Sequence, residues 1–199
     1  MTKQKEELEH RLKLRNIKLS DYDDIREIMV SIYKEPGGAW TRQELKNQLK
    51  VFPEGQICIE DNGKVVAAAL SLIVDYMKFG DNHTYRQITG DYSFGTHDPD
   101  GDVLYGIEVF IHPDYRGLRL ARRLYDTRKI ICESLNLRAI MAGGRLPSYS
   151  KYAAELTPKQ YIEKVKKREL HDQTLSFQLA NDFQIKKVIH NYLPEDNES

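Results

Sequence analysis

The chain has 199 residues, with 30 acidic and 30 basic side chains and a formal net charge of zero. That balance argues against a nucleic-acid binder held by bulk charge, and the length suits one domain with room for a decorated loop. The longest apolar run, Val65 to Val74, is interrupted by Ser71 and is far short of the roughly 20 residues that span a bilayer. With no apolar signal segment at the N-terminus, the expectation is a cytoplasmic protein without a membrane partner. Cys58 and Cys132 each read as a small buried hydrophobe rather than half of a disulfide.

Residues 1–12 are highly charged, with Leu8 and Leu12 as a lone apolar pair at helical spacing, and read as a tail or frayed helix. Lys13 to Leu19 reads as a first strand. Ser20-x-x-Asp23 is a helix-starting box, and Ile25, Ile28, Met29 and Ile32 give that helix a buried face. Glu35–Pro36–Gly37–Gly38 ends it. Thr41-x-x-Glu44 opens a second helix, marked by Leu45, Leu49 and Phe52. Gln56 to Glu60 and Lys64 to Tyr76 read as strands joined by Asp61–Asn62–Gly63, because Asn-Gly suits the two positive φ angles of a tight hairpin turn. Met77 to Asp102 is a long polar connection, of a kind usually functional or mobile. Its Asp98, Asp100 and Asp102 suggest a calcium loop, but Gly101 falls at the fourth place instead of the sixth and Val109 occupies the twelfth, where glutamate is needed. A turn with solvated carboxylates and no metal is expected, and His83 and His97 lack a supporting ligand spacing.

Val103 to Ile111 is rich in β-branched and aromatic residues, as a buried strand should be. Pro113 breaks it, and beyond Gly117 the apolar period changes from two to about 3.6. Leu120, Ala121, Leu124, Tyr125, Ile131, Cys132 and Leu135 fall on one helical face. A strand, a basic Gly-containing turn and a long helix make an anion site, since first-turn N–H groups lack intrahelical partners and carry the positive end of the dipole. Arg116 and Arg119 suit phosphate; the ordinary alternative is a βα corner whose arginines are solvated. Arg138 to Ala142 reads as the next strand, ending at Gly143–Gly144–Arg145. Residues 146–172 intervene, with Thr157–Pro158 as N-cap and first helical residue of a charged helix to about Leu170. A short helix over Thr174–Asn181, a last strand over Phe183–Asn191 and an exit linker over 194–199 complete the reading.

PDYRGLRLARRLY resembles the acyl-CoA-binding motif of the GNAT family of N-acetyltransferases: Arg or Gln, two residues, Gly, one residue, then Gly or Ala. Arg116 fills the first position and Ala121 the last; Arg119 stands in place of the middle glycine. Val109, Phe110, Ile111 and Pro113 match the family's strand end. Strand, two helices, hairpin, then strand–turn–helix is the family's order. The resemblance implies an α/β (mixed α+β) fold, a central mixed sheet flanked by helices, over residues 13–193 with insertions at 77–102 and 146–172. The family's closing Tyr-x-x-x-Gly-Phe element is matched at Phe183, whereas Gln178 replaces the tyrosine and Asp182 the glycine. IHPDYRGLRLARRLYD, AGGRLPSY, LTPKQYIEKV and LSFQLANDFQIKKVIHNYLPED are similar to the GNAT domain that precedes a carbon-nitrogen hydrolase domain in two-domain bacterial proteins.

The resemblance implies an N-acetyltransferase that uses acetyl-CoA as cosubstrate and a small-molecule or peptide amine as acceptor, by direct attack on the thioester. Backbone groups of Val109, Phe110 and Ile111 would hold the pantetheine arm. Amides across Gly117, Leu118, Arg119, Leu120 and Ala121, with Arg116, would hold the pyrophosphate. Glu108, on the same strand, is the candidate general base; pairing with an arginine is its alternative role. Tyr105 is a candidate proton relay. With Gln178 in place of the family's tyrosine acid, water or another tyrosine, such as Tyr149 or Tyr152, is the substitute. A catalytically degenerate CoA-binding module serving an attached carbon-nitrogen hydrolase is the competing reading, and a homodimer is compatible with either. The chain has no G-x-G-x-x-G, which disfavours a dinucleotide fold.

Overall fold

The computed structural model describes residues 10–33 and 38–193; the first nine residues of the tail expected over 1–12, Glu35 to Gly37 and the exit segment 194–199 lie outside the described residues. In order, the elements are β1 (Leu12–Asn16), α1 (Tyr22–Ile32), α2 (Arg42–Val51), β2 (Ile57–Asp61), β3 (Lys64–Val74), α3 (Tyr76–Phe79), α4 (Tyr85–Thr89), β4 (Val103–Ile111), α5 (Leu120–Ser134), β5 (Ala139–Ala142), α6 (Pro158–Lys166) and α7 (Gln173–Leu179). The strands form one sheet in the order β1-β2-β3-β4-β5. The pairs β1–β2 and β2–β3 are antiparallel and β4–β5 is parallel, which is the mixed sheet expected.

The chain divides into two compact units, one formed by residues 1–71 and 108–131 and the other by 72–107 and 132–199. In the first unit the β2–β3 hairpin closes as the Asn-Gly pair demands, with φ of 50° at Asn62 and 89° at Gly63. Ile57, Ile59, Val66, Ala67 and Ala69 from the hairpin meet Leu120 and Leu124 of α5 in a buried cluster. Thr41 caps α2 reciprocally with Glu44. The start of α1 departs from expectation. A 3-10 turn over Leu19–Asp21 precedes the helix, which begins at Tyr22. Asp21 is held by residues just before it: Arg15 reaches it at 2.7 Å and the Lys18 amide at 2.7 Å. Burial pushes the Asp21 carboxyl up, and the Arg15 guanidinium and Lys18 amide more than reverse this, holding it below its ordinary value.

In the second unit, the polar connection is structured. It holds α3 and α4, and Thr84 caps α4 with Gln87. Two of its carboxylates are paired rather than merely solvated: Lys78 bonds Asp98 at 2.7 Å and Arg138 bonds Asp102 at 2.6 Å. Tyr161, Ile162, Val165 and Leu175 form this unit's own cluster around α6 and α7. The last predicted strand does not form. Ile185 and Val188 are three residues apart, a spacing that does not suit one face of a strand, and both pack on that helical cluster instead. Among the described residues, no helix is long and apolar enough to cross a membrane.

Candidate functional site

Pairing between β4 and β5 runs from Val103↔Ala139 to Gly106↔Ala142, where β5 stops. β4 continues through Ile111, so β5 takes no backbone groups of its last five residues, Ile107 to Ile111. Val109 and Ile111 turn their side chains onto the α5 cluster, and Phe110 is buried. His112 ends the strand, its Nδ1 accepting from the Asp114 amide at 3.3 Å, and Pro113 opens a 3-10 turn.

The turn into α5 then takes two left-handed residues, Gly117 at φ 89° and Arg119 at φ 57°. A Cβ on Gly117 would meet nothing within 4 Å, so glycine is there for its dihedral and not for space. Arg119 adopts the conformation that glycine favours, at a cost of about 1–2 kcal/mol for an L-residue. Asp182, the other replacement of a motif glycine, does the same at φ 70°. Leu120 is 1% exposed and anchors the helix start in the core, whereas Arg116, Gly117, Leu118 and Arg119 are exposed. The loop thus presents two exposed guanidinium-bearing residues just ahead of a 15-residue helix, an arrangement suited to phosphate.

Glu108, half-buried on β4, accepts from the Tyr33 hydroxyl at 2.8 Å through Oε1 and 3.1 Å through Oε2. Arg128 Nη2 donates to the Glu108 carbonyl at 2.6 Å and to the Leu70 carbonyl at 2.6 Å. Arg128 Nε reaches Ser71 Oγ at 3.1 Å. Arg128 is 2% exposed, and burial lowers its pKa against the pull of Tyr125 and Glu108. A buried cation therefore ties β3 and β4 together at Glu108, while Tyr33 orients the carboxylate.

Tyr105 belongs to the other unit and is 2% exposed. Its hydroxyl lies 2.8 Å from His83 Nε2 and 2.8 Å from the Tyr192 hydroxyl. Burial pushes the phenol up to about 12, against bonds from Tyr192 and the Gly143 backbone. His83 is 5% exposed, and burial pushes its imidazole below the ordinary 6.5, against the Gly80 and Phe79 backbone groups and Asp81. Tyr149 and Tyr152, the substitutes named for the missing acid, sit elsewhere in this unit: Tyr149 donates to the Leu156 carbonyl at 2.9 Å, and both rings pack on Tyr161. Gln178 packs on Gly144, where a Cβ would lie 2.6 Å from Gln178 Oε1. His83 and Tyr192 escape sequence reading because neither carries a local motif; 87 residues separate Tyr105 from Tyr192.

The family model of the acetyltransferase (GNAT) family matches residues 22–152. The chain belongs to the GNAT family. It is 41% identical over 192 residues to the probable hydrolase YhcX of Bacillus subtilis (strain 168), covering 96% of this chain and 37% of that protein. It thus spans well under half the length of that relative, as a GNAT domain joined to a hydrolase would. It is 35% identical to the uncharacterized N-acetyltransferase YkwB of the same organism, over 80% of this chain and 70% of YkwB. Among solved structures, a GphF GNAT-like decarboxylase in complex with isobutyryl-CoA aligns with a TM-score of 0.76 at 20% identity, over 94% of each chain. This last likeness establishes the GNAT fold.

Proposed function

We propose that this GNAT domain, running from residue 13 to 193, transfers an acetyl group from acetyl-CoA to an amine acceptor by direct attack of the amine on the thioester. The observation that carries the reading is the left-handed backbone of Arg119. The chain departs from the family's glycine in sequence yet keeps the dihedral that lets the loop curl around a pyrophosphate, and it adds a charge there. On this reading the exposed Arg116 and Arg119 with the amides from Gly117 to Ala121 hold the pyrophosphate. The backbone of Val109, Phe110 and Ile111, left by β5, holds the pantetheine arm. Glu108, oriented by Tyr33, takes a proton from the amine. The compartment is the cytoplasm, and the acceptor is a small molecule or peptide.

A second reading is favoured by one observation, the share of YhcX that the chain covers. It makes the domain a CoA-binding module that serves an attached hydrolase without turnover. Two measurements separate the readings: a thermal shift with CoA, and release of free CoA from acetyl-CoA with a panel of amines, polyamines and amino acids. Transfer requires both; the module requires the shift alone.

A further inference from the structure

We infer that Arg128 is a buried charge for the transfer step: its guanidinium polarises the Glu108–Val109 peptide, so that the Val109 N–H becomes a strong donor to the thioester oxygen. The inference rests on the transferase reading above and adds a residue that lies outside the loop motif and outside the Glu108–Tyr33 pair.

Arg128 stands on α5 and is 2% exposed. Arginine keeps its proton in proteins, so a full positive charge is buried here. Its hydrogen bonds go to neutral oxygens: the Leu70 and Glu108 carbonyls, each 2.6 Å from Nη2, and Ser71 Oγ, 3.1 Å from Nε. Tyr125 and the Glu108 carboxylate act on it only through space. A buried cation without a bonded carboxylate is costly, and an apolar side chain of similar size packs such a site as well or better. The charge is therefore a poor device for stability, and its position shows what it can do instead.

One atom, Nη2, bridges the carbonyls of Glu108 on β4 and Leu70 on β3, so the Glu108 carbonyl faces β3. The Glu108–Val109 peptide is trans, and its N–H points the opposite way, out of the edge of β4 remote from β3. The ladder agrees. The Val66 carbonyl accepts from the His112 amide at 2.8 Å and the Val74 carbonyl from the Asp102 amide at 3.1 Å, an antiparallel pairing in which successive residues alternate between edges. His112 faces β3, so Ile111 and Val109 face away. Val109 is the one whose peptide Arg128 touches. A cation bonded to the carbonyl end of a peptide draws charge from it and strengthens the donor at the other end.

As the amine lone pair forms the C–N bond, the thioester oxygen takes negative charge, and the Val109 N–H meets it. The C–S bond then breaks with its electrons on sulfur. The amine's proton goes to Glu108, as above, and no proton moves to or from Arg128. The donor is fixed before substrate arrives, the condition under which such stabilisation is worth most. Arg128 acts through the peptide and is a positioning residue.

The test compares the parent with Arg128→Met, which keeps length and loses charge, and Arg128→Lys, which keeps charge on a narrower head. The readings are the melting temperature without ligand, acetyl-CoA affinity by calorimetric titration, and the carbonyl stretch of bound isotope-labelled acetyl-CoA by difference infrared spectroscopy without amine. In the parent the stretch should lie below its solution value. Arg128→Met should melt near the parent, bind acetyl-CoA with parental affinity and return the stretch toward the solution value. Its kcat for amine-dependent CoA release should fall by about tenfold or more, short of the roughly 10²–10³-fold lost with an oxyanion donor itself. Arg128→Lys should fall between. A parental stretch in Arg128→Met, or a parent stretch equal to that in solution, overturns the inference. An Arg128→Met chain that does not fold makes the charge structural and overturns it too. A parent with a lowered stretch that transfers to no amine removes the transferase reading and leaves the polarised amide standing; a parent that does not bind acetyl-CoA overturns both.

Discussion

The Tyr33 hydroxyl lies 2.8 Å from one oxygen of Glu108 and 3.1 Å from the other. A hydroxyl within reach of both oxygens fixes the carboxylate plane. Glu108→Gln removes the base while keeping a similar shape, so kcat should fall by about 10²–10⁴-fold with CoA affinity unchanged. Tyr33→Phe removes orientation only, and its loss should be nearer tenfold, as expected for one hydrogen bond worth about 1–1.5 kcal/mol. Steady-state CoA release resolves the two. A Glu108→Gln variant with full turnover would remove Glu108 from the chemistry.

Arg119 combines a strained backbone with an exposed guanidinium. Arg119→Ala keeps the strain and loses the charge, so CoA binding should weaken by about tenfold or more, with a shallower salt dependence. Arg119→Gly relieves the dihedral but adds chain entropy to the unfolded state, two effects of about 1 kcal/mol that oppose each other. Its melting temperature should stay near the parent's while CoA affinity remains reduced. Calorimetric titration of CoA checks both. Tighter binding by Arg119→Gly would mean that the arginine obstructs the site.

Much of this architecture is legible locally. The Asn62–Gly63 hairpin, the Thr41 and Thr157 capping boxes and the strand–turn–helix from Val103 onward depend on neighbours within a few residues. Failures arise where partners in another element decide. Arg15, on β1, holds Asp21 in the 3-10 turn, and the helix starts at Tyr22. Residues 183–191 look strand-like, yet Ile185 and Val188 find a helical cluster to bury against. The GNAT loop is readable as a motif, but that Arg119 would keep a glycine dihedral is not, since only the turn between Gly117 and Leu120 imposes it. His83 reads as an isolated histidine until folding sets Tyr105 against it.

Gly143 tests the packing behind Tyr192. Gly143→Ala would place a Cβ 2.1 Å from the Tyr192 ring, and the ring must move, breaking its bond to Tyr105. Overpacking of this kind costs about 1–3 kcal/mol. The variant should melt lower and still bind CoA. An unchanged melting temperature would show that the packing around the Tyr192 ring accommodates the added methyl.

Asp21 gives the fold a pH dependence of known sign. Its carboxyl is held below the ordinary 3.8 by Arg15 and Lys18 despite burial. A group depressed in the folded state contributes stability that is present above the unfolded value and is lost as the pH falls through the folded one. Asp21→Asn should therefore cost about 1–3 kcal/mol at pH 7 and progressively less as the pH falls below about 4. Urea denaturation of both proteins at pH 7 and pH 3 checks this. An equal difference at the two pH values would mean that the Arg15 pair contributes nothing through charge.

The central claim is that the loop from Arg116 to Ala121 binds the pyrophosphate of acyl-CoA. It is tested most directly by the melting temperature with and without CoA, measured on the parent and on an Arg116→Ala, Arg119→Ala double variant. Ligand at about 100 times its dissociation constant should stabilise the parent by about 2.7 kcal/mol. The double variant should require far more CoA for the same shift, and that difference should shrink with added salt. A parent unmoved by millimolar CoA, or a double variant that responds as the parent does, would contradict the account.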